Sequence, residues 1–204
     1  MVRKLLIVLS AAAFLGASAP AMAGGCKGCT KVAKTGEGFC CGKGKAFGVD
    51  LTSKKLHAAL VGHKFDLEKI HCPGCKTAAK TGGSCEHCKV HAADGKFYHS
   101  SVAHALAQGK LRSASASELK CAGCKTAHAE NGWCTGCNAG FVANRLFESK
   151  AAHTIALAAY NVLKEAVVVA SKCERCAIAM VTDGTCDACK VKFKDGKAVK
   201  KAEG

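Results

Sequence analysis

The stretch CPGCKTAAKTGGSCEHC, residues 72–88, carries two Cys-x-x-Cys pairs separated by nine residues. The same spacing returns without a gap in CAGCKTAHAENGWCTGC, residues 121–137, and in CERCAIAMVTDGTCDAC, residues 173–189. Each copy has a glycine two residues before its third cysteine: Gly83, Gly132 and Gly184. A further cluster opens at Cys26, so the 16 cysteines form four groups that begin 46, 49 and 52 residues apart. Self-similarity at such a period marks an internal repeat, each copy being one small supersecondary unit.

The likeness continues past the cysteines. Seven residues beyond the fourth cysteine stand Gly48, Gly95, Asn144 and Gly196, all residue types that tolerate positive φ. Asp94-Gly95 and Asp195-Gly196, flanked by short apolar stretches, predict a β-hairpin with a tight turn. A Ser-x3-His step follows in Ser53/His57, Ser100/His104 and Ser149/His153. Serine suits a helix N-cap, and Gly62 and Gly109 stand where the first two helices should stop.

The expected fold class is a row of about four small metal-stapled α+β repeats, each with two cysteine knuckles, a β-hairpin and a helix. The boundaries fall at residues 24–64, 72–110, 121–171 and 173–204. The third copy has a longer helix, roughly residues 149–171, and the fourth stops after its hairpin in a charged tail. The first copy departs most, because Cys40 and Cys41 are adjacent. Its register matches Cys41 to Cys88 and Cys137 and makes Cys40 the displaced residue, so the first site is expected to be degenerate or to use another ligand.

Three chemistries compete for these cysteines. Covalent haem needs histidine directly after the second cysteine of a pair, and none of the pairs has one, which excludes it. Disulfides suit an exported chain with an even cysteine count. Metal suits the spacing better, since each Cys-x-x-Cys holds two sulfurs on one tight turn and two such pairs form a tetrahedral pocket. The ligand candidates are Cys26, Cys29, Cys40 and Cys41; Cys72, Cys75, Cys85 and Cys88; Cys121, Cys124, Cys134 and Cys137; and Cys173, Cys176, Cys186 and Cys189. His57, His104 and His153 are expected to support these ligands or to add to them, His57 above all, beside the irregular pair.

The C-x2-C-x9-C-x2-C pattern with its glycine-bearing turn resembles the short zinc ribbon of many bacterial proteins. The likeness covers 17 residues per unit. It departs after the second cysteine, where ribbons usually have glycine and this chain has Lys76, Lys125 and Ala177. What the resemblance implies is a structural four-thiolate Zn2+ site in the second, third and fourth copies, hence three to four ions with the first site left open.

The chain begins MVRKLLIVLSAAAFLGASAPAMAGG: a basic start at Arg3 and Lys4, an apolar run, then Ala21-Met22-Ala23. This predicts a signal peptide over residues 1–23 and a periplasmic or secreted mature chain. No later segment is expected to span a membrane, because the most apolar one is broken by Asn161, Lys164 and Glu165. The formal net charge of +15 would suggest nucleic acid in a cytosolic chain. Export, and the negative charge that four-thiolate zinc sites carry, point instead to an unknown protein or an anionic envelope component as partner, with no nucleic acid expected.

No Ser/His/Asp array, phosphate loop or paired carboxylate set is present, so no catalytic residue is expected and the leading reading is a non-enzymatic scaffold or interaction protein. Periplasmic metal sequestration or buffering is one alternative. A thiol–disulfide oxidoreductase or a disulfide-stapled secreted protein is another. The oxidoreductase is disfavoured on the expectation that the pairs precede hairpins rather than long helices, with no βαβ pattern around them.

Overall fold

The computed structural model describes residues 37–111 and 118–201, together with Val32. The expected signal peptide, Cys26 and Cys29 lie outside the described residues. The first unit contributes strands β1 (Gly38–Cys40), β2 (Lys43–Ala46) and β3 (Val49–Leu51), then helix α1 (Lys54–Leu60) and strand β4 (His63–Lys64). The second runs α2 (Pro73–Thr81), β5 (Ser84–Cys85), β6 (Val90–Ala93), β7 (Lys96–Tyr98), α3 (Ser101–Ala107) and β8 (Lys110–Leu111). The third runs α4 (Ala122–Glu130), β9 (Trp133–Cys134), β10 (Ala139–Val142), β11 (Arg145–Phe147) and α5 (Lys150–Ala170). The fourth runs α6 (Glu174–Thr182), β12 (Thr185–Cys186), β13 (Val191–Lys194) and β14 (Lys197–Lys201). The protein is thus small α+β, with repeated cysteine clusters each joined to a hairpin and a helix.

Local chemistry accounts for the hairpins and for the helices that follow them. Both central turn residues have positive φ in every unit: Phe47/Gly48, Asp94/Gly95, Ala143/Asn144 and Asp195/Gly196. That is the primed turn whose twist matches the flanking strands. Ser53, Ser100 and Ser149 each accept a hydrogen bond from the backbone N–H three residues on, capping α1, α3 and α5 as expected.

The first six residues of each nine-residue spacer complete a helix that begins inside the first cysteine pair. In the second, third and fourth units Cys72, Cys121 and Cys173 are N-caps of α2, α4 and α6. Each helix ends on a left-handed residue: Gly82, Asn131 or Asp183. The first pair of each set therefore opens a helix and only the second opens a hairpin. The expectation of hairpins rather than long helices is thereby refined, the helix opened by the first pair being nine residues long.

Gly62 and Gly109 stand where the helices stop, as expected, and have a further task. The helices stop before them, with Val61 and Gln108 as C-caps. A Cβ at Gly62 would lie 2.6 Å from the Tyr98 ring, and one at Gly109 would lie 2.5 Å from the Phe147 ring. Here the chain crosses the next unit's aromatic residue and then joins that unit's sheet: β4 pairs with β7 and β8 with β11. The sheets of the second and third units are four-stranded, those of the first and fourth three-stranded. Residues 63–64, placed by sequence in the first repeat, are hydrogen-bonded into the second.

One core joins the units. Leu56 and Leu60 of α1, Leu106 of α3 and Leu163 of α5 share a cluster with Ala177, Met180 and Val181 of α6. The serine-capped helices of three units thus gather about the cysteine helix of the fourth. Arg145, only 3% exposed, donates to the Gly109 carbonyl at 2.8 Å and lies 5.4 Å from the centre of the Phe47 ring, tying three units together. Helix α5, with His153, Ala156, Ala159, Leu163 and Ala166 buried, is long and apolar enough to cross a membrane by length and composition alone. That amends the expectation that no later segment would qualify.

Candidate metal centres

The nine-residue spacing follows from the different rise of helix and strand. Cys75 sits in the first turn of α2, and seven helical steps to Gly82 climb about 10 Å. Three extended steps then return about the same distance to Cys85. The strand runs back along the helix, so the third cysteine arrives beside the first two. At the reversal Gly83, Gly132 and Gly184 each donate to a carbonyl of the helix and accept from the central strand, joining helix to hairpin.

The sulfurs converge. Cys72, Cys75, Cys85 and Cys88 have all four Sγ atoms within 4.8 Å of one another, as do Cys121, Cys124, Cys134 and Cys137, and Cys173, Cys176, Cys186 and Cys189. Cys72–Cys85, Cys121–Cys134 and Cys173–Cys186 stand 3.8 Å apart, and Cys173–Cys189 3.7 Å. A tetrahedron with zinc–sulfur bonds near 2.3 Å has an edge of about 3.8 Å. A disulfide needs about 2.05 Å. The donor set and its spacing fit a soft or borderline divalent ion, and these three clusters could each hold one.

Packing supports the same geometry. A Cβ at Gly74 would come within 2.8 Å of the Cys85 sulfur, and one at Gly123 within 2.9 Å of the Cys134 sulfur. The glycine of Cys-x-Gly-Cys therefore clears space for the third sulfur; the fourth unit has Arg175 at that position.

The sulfurs of one cluster are not electrostatically alike. The backbone N–H of Cys75, at the helix start, holds the Cys72 thiol down to about 6, and Cys124 and Cys176 do the same for Cys121 and Cys173, each to about 7. Burial pushes Cys75 and Cys176 far up and Cys124 up to about 12. One cysteine is thus ready as a thiolate at neutral pH. Its buried neighbour ionises only when a cation arrives to balance it.

The first unit differs by its turn. Cys40 pairs with Lys43 across the ladder just as Cys85 pairs with Val90, Cys134 with Ala139 and Cys186 with Val191. Cys40 therefore keeps the strand position of a third cysteine, correcting its reading as the displaced residue. What has changed is the turn, which keeps only Cys41 and Gly42 where the second unit has residues 86–89. The Cys40 and Cys41 sulfurs lie 3.5 Å apart.

No histidine belongs to the three clusters. His104 Nε2 lies 3.2 Å from the Gly82 carbonyl, which accepts from Gln108 Nε2 at 2.9 Å beside it, and His153 Nε2 donates to the Asn131 carbonyl at 3.1 Å. These carbonyls belong to the residues that end the cysteine helices, so Gln108, beside His104, and His153 pin the reversal that delivers the third cysteine. His57 occupies the same place in the first unit, but its buried Nε2 has no hydrogen-bond partner among the described residues.

Comparison of the chain with protein-family models, with curated proteins and with solved structures finds no match. The functional reading rests on the geometry of the clusters.

Proposed function

We propose that this chain is an exported, non-enzymatic scaffold whose units are stapled by Zn2+ bound to four thiolates. The sulfur separations carry this reading, because they match a tetrahedral zinc edge and not a disulfide. The residues that would hold the ions are the three complete cysteine sets. Bound zinc would neutralise thiolates that burial otherwise keeps protonated and would lock each cysteine helix to its hairpin. Export is supported by the basic, then apolar, then Ala-x-Ala start of the chain. The shared core favours a scaffold over a buffer, since sequestration needs no common hydrophobic centre.

A second reading has one observation in its favour. Cys72, Cys121 and Cys173 lie at helix N-termini with lowered thiol pKa, the setting of a reactive dithiol. One experiment separates the two. The mature chain is purified without added metal, and native mass spectrometry and thiol titration are run before and after chelation. At least three zinc ions, with thiols released by the chelator, are expected. A metal-free chain without free thiols would sink the zinc reading, and measurable disulfide reductase turnover would favour the dithiol.

A further inference from the structure

Each hairpin has two faces with different fates. In the second, third and fourth units one packs on the unit's own cysteine helix, through Ala92, Phe141 or Phe193. In the first three units the opposite face is roofed by the serine-capped helix: Ala46, Ala93 and Val142, the last strand residues before the turn, are all buried. In the third unit the roof is so close that a Cβ on Gly140 would strike the His153 ring.

Among the described residues the fourth unit brings no serine-capped helix of its own. The third unit's α5 meets the fourth hairpin at its turn, where a Cβ on Gly196 would strike the Val162 side chain, and the lysines of the face beside it stay exposed. Where the others have Ala46, Ala93 and Val142 the fourth hairpin has Lys194, and where they have Gly44, His91 and Gly140 it has Lys192; both lysines are exposed. Across the ladder Lys194 faces Lys197, also exposed, and Lys192 faces position 200, another lysine. Like charges directly opposite on a sheet destabilise it. Among the described residues none of Lys192, Lys194 and Lys197 has an ion pair. On the other face of the first hairpin a ladder lysine is neutralised, Lys45 being bridged to Asp50 at 3.2 Å. Residues 190–201, KVKFKDGKAVKK, hold six lysines and one acid. A face kept only for solubility would mix the two signs.

We propose that this exposed face, through Lys192, Lys194 and Lys197, docks the protein on an anionic phospholipid surface. Lysines are point charges that respond to the total field, whereas arginine forks read the geometry of a single ligand. Single-stranded nucleic acid needs aromatic platforms, and the one aromatic of this hairpin, Phe193, is buried against the cysteine helix. Among the described residues no further strand pairs with β14, and Val199 on it is 50% exposed, so an apolar group accompanies the charges. The proposal gives the scaffold reading above its partner and rests on that reading for the fold of the fourth unit.

The test is co-sedimentation of the metal-loaded mature chain with phosphatidylcholine vesicles, with and without phosphatidylglycerol. Binding is expected only with phosphatidylglycerol and is expected to weaken with salt. Each lysine near an anionic surface contributes about fivefold, so replacing Lys192, Lys194 and Lys197 by Gln should weaken binding about 100-fold. Replacing the same three by Arg should preserve it. A control triple, Lys54, Lys69 and Lys80 to Gln, should cost less than about fivefold. Equal losses in the two Gln triples would overturn the proposal, since net charge alone would then act. So would binding to inorganic polyphosphate but to no vesicle, which would assign a soluble polyanion. Metal content read on the same samples keeps the two claims apart. A metal-loaded chain that ignores vesicles sinks the docking alone. A metal-free folded chain that still needs these lysines sinks the zinc reading alone.

Discussion

Helix α6 of the fourth unit and helices α2 and α4 of the second and third occupy the same place in the repeat, yet they live in different surroundings. All three are N-capped by the first cysteine and bury the second: Cys75, Cys124 and Cys176. Beyond that the sequences diverge. Ala177 is fully buried where Lys76 and Lys125 are exposed, and Val181 is fully buried where Lys80 and Ala129 are exposed. The serine-capped helices bind α6 by polar contacts as well. Ser100 Oγ donates to the Val181 carbonyl at 2.6 Å, and Ser53 Oγ to Glu174 Oε1 at 2.7 Å. The cysteine spacing makes a unit. The other helix positions decide whether that unit is a satellite or the hub.

The sharpest way to break this comparison is to remove a ligand at each place. Cys176→Ser and Cys75→Ser should each lose one metal equivalent by mass spectrometry. Only the first should also abolish the cooperative unfolding transition of the chain, because the hub helix loses its anchor. Equal transitions in the two variants would show that the units fold independently. Next, Ala177→Lys introduces an unpaired charge into the shared core and should cost about 4 kcal/mol or more in urea denaturation. The converse change, Lys76→Ala, should stay within about 0.5 kcal/mol.

Smaller effects refine the polar contacts. Ser100→Ala removes an N-cap and leaves the buried Val181 carbonyl without its donor, an expected loss of about 2 kcal/mol. Ser149→Ala removes a cap alone and should cost about 1 kcal/mol. Similar losses would mean that the contact with α6 adds nothing. The least is a pH slope at His57, whose pKa is lowered by burial, partly opposed by Glu37. A histidine that folding makes less basic contributes fully above its unfolded pKa of about 6.5, and that contribution falls as pH drops below this value. Subtracting the stability of His57→Leu from that of wild type, measured across that range, should isolate the slope. A flat difference would show that His57 is not held neutral by its surroundings.

Much of the repeat was legible in the residues. Positive-φ turns, serine caps, the long helix of the third unit and the three complete cysteine sets all stand where spacing places them, because each depends on groups a few residues apart. The spacer helices were harder to see. At nine residues they are too short to persist alone, and their Ala-Lys-Thr stretches carry little apolar bulk. Their signals were the left-handed stops at Gly82, Asn131 and Asp183, whose αL geometry does not appear until the helix is formed. Gly62 and Gly109 were recognised as special, but the reason, Tyr98 and Phe147 of the following unit, lies more than thirty residues along the chain.

The sequence by itself determined the chemistry of the second, third and fourth units: four sulfurs at a spacing that a helix climbing out and a strand running back bring to one point. That is a local matter of rise per residue, and it holds wherever the unit sits. Only the tertiary structure decided that three serine-capped helices close around α6, that Arg145 joins three units, and that the fourth hairpin keeps Lys192, Lys194 and Lys197 exposed. Burial is shared among residues far apart in the chain, so no single repeat shows which of its faces will be covered.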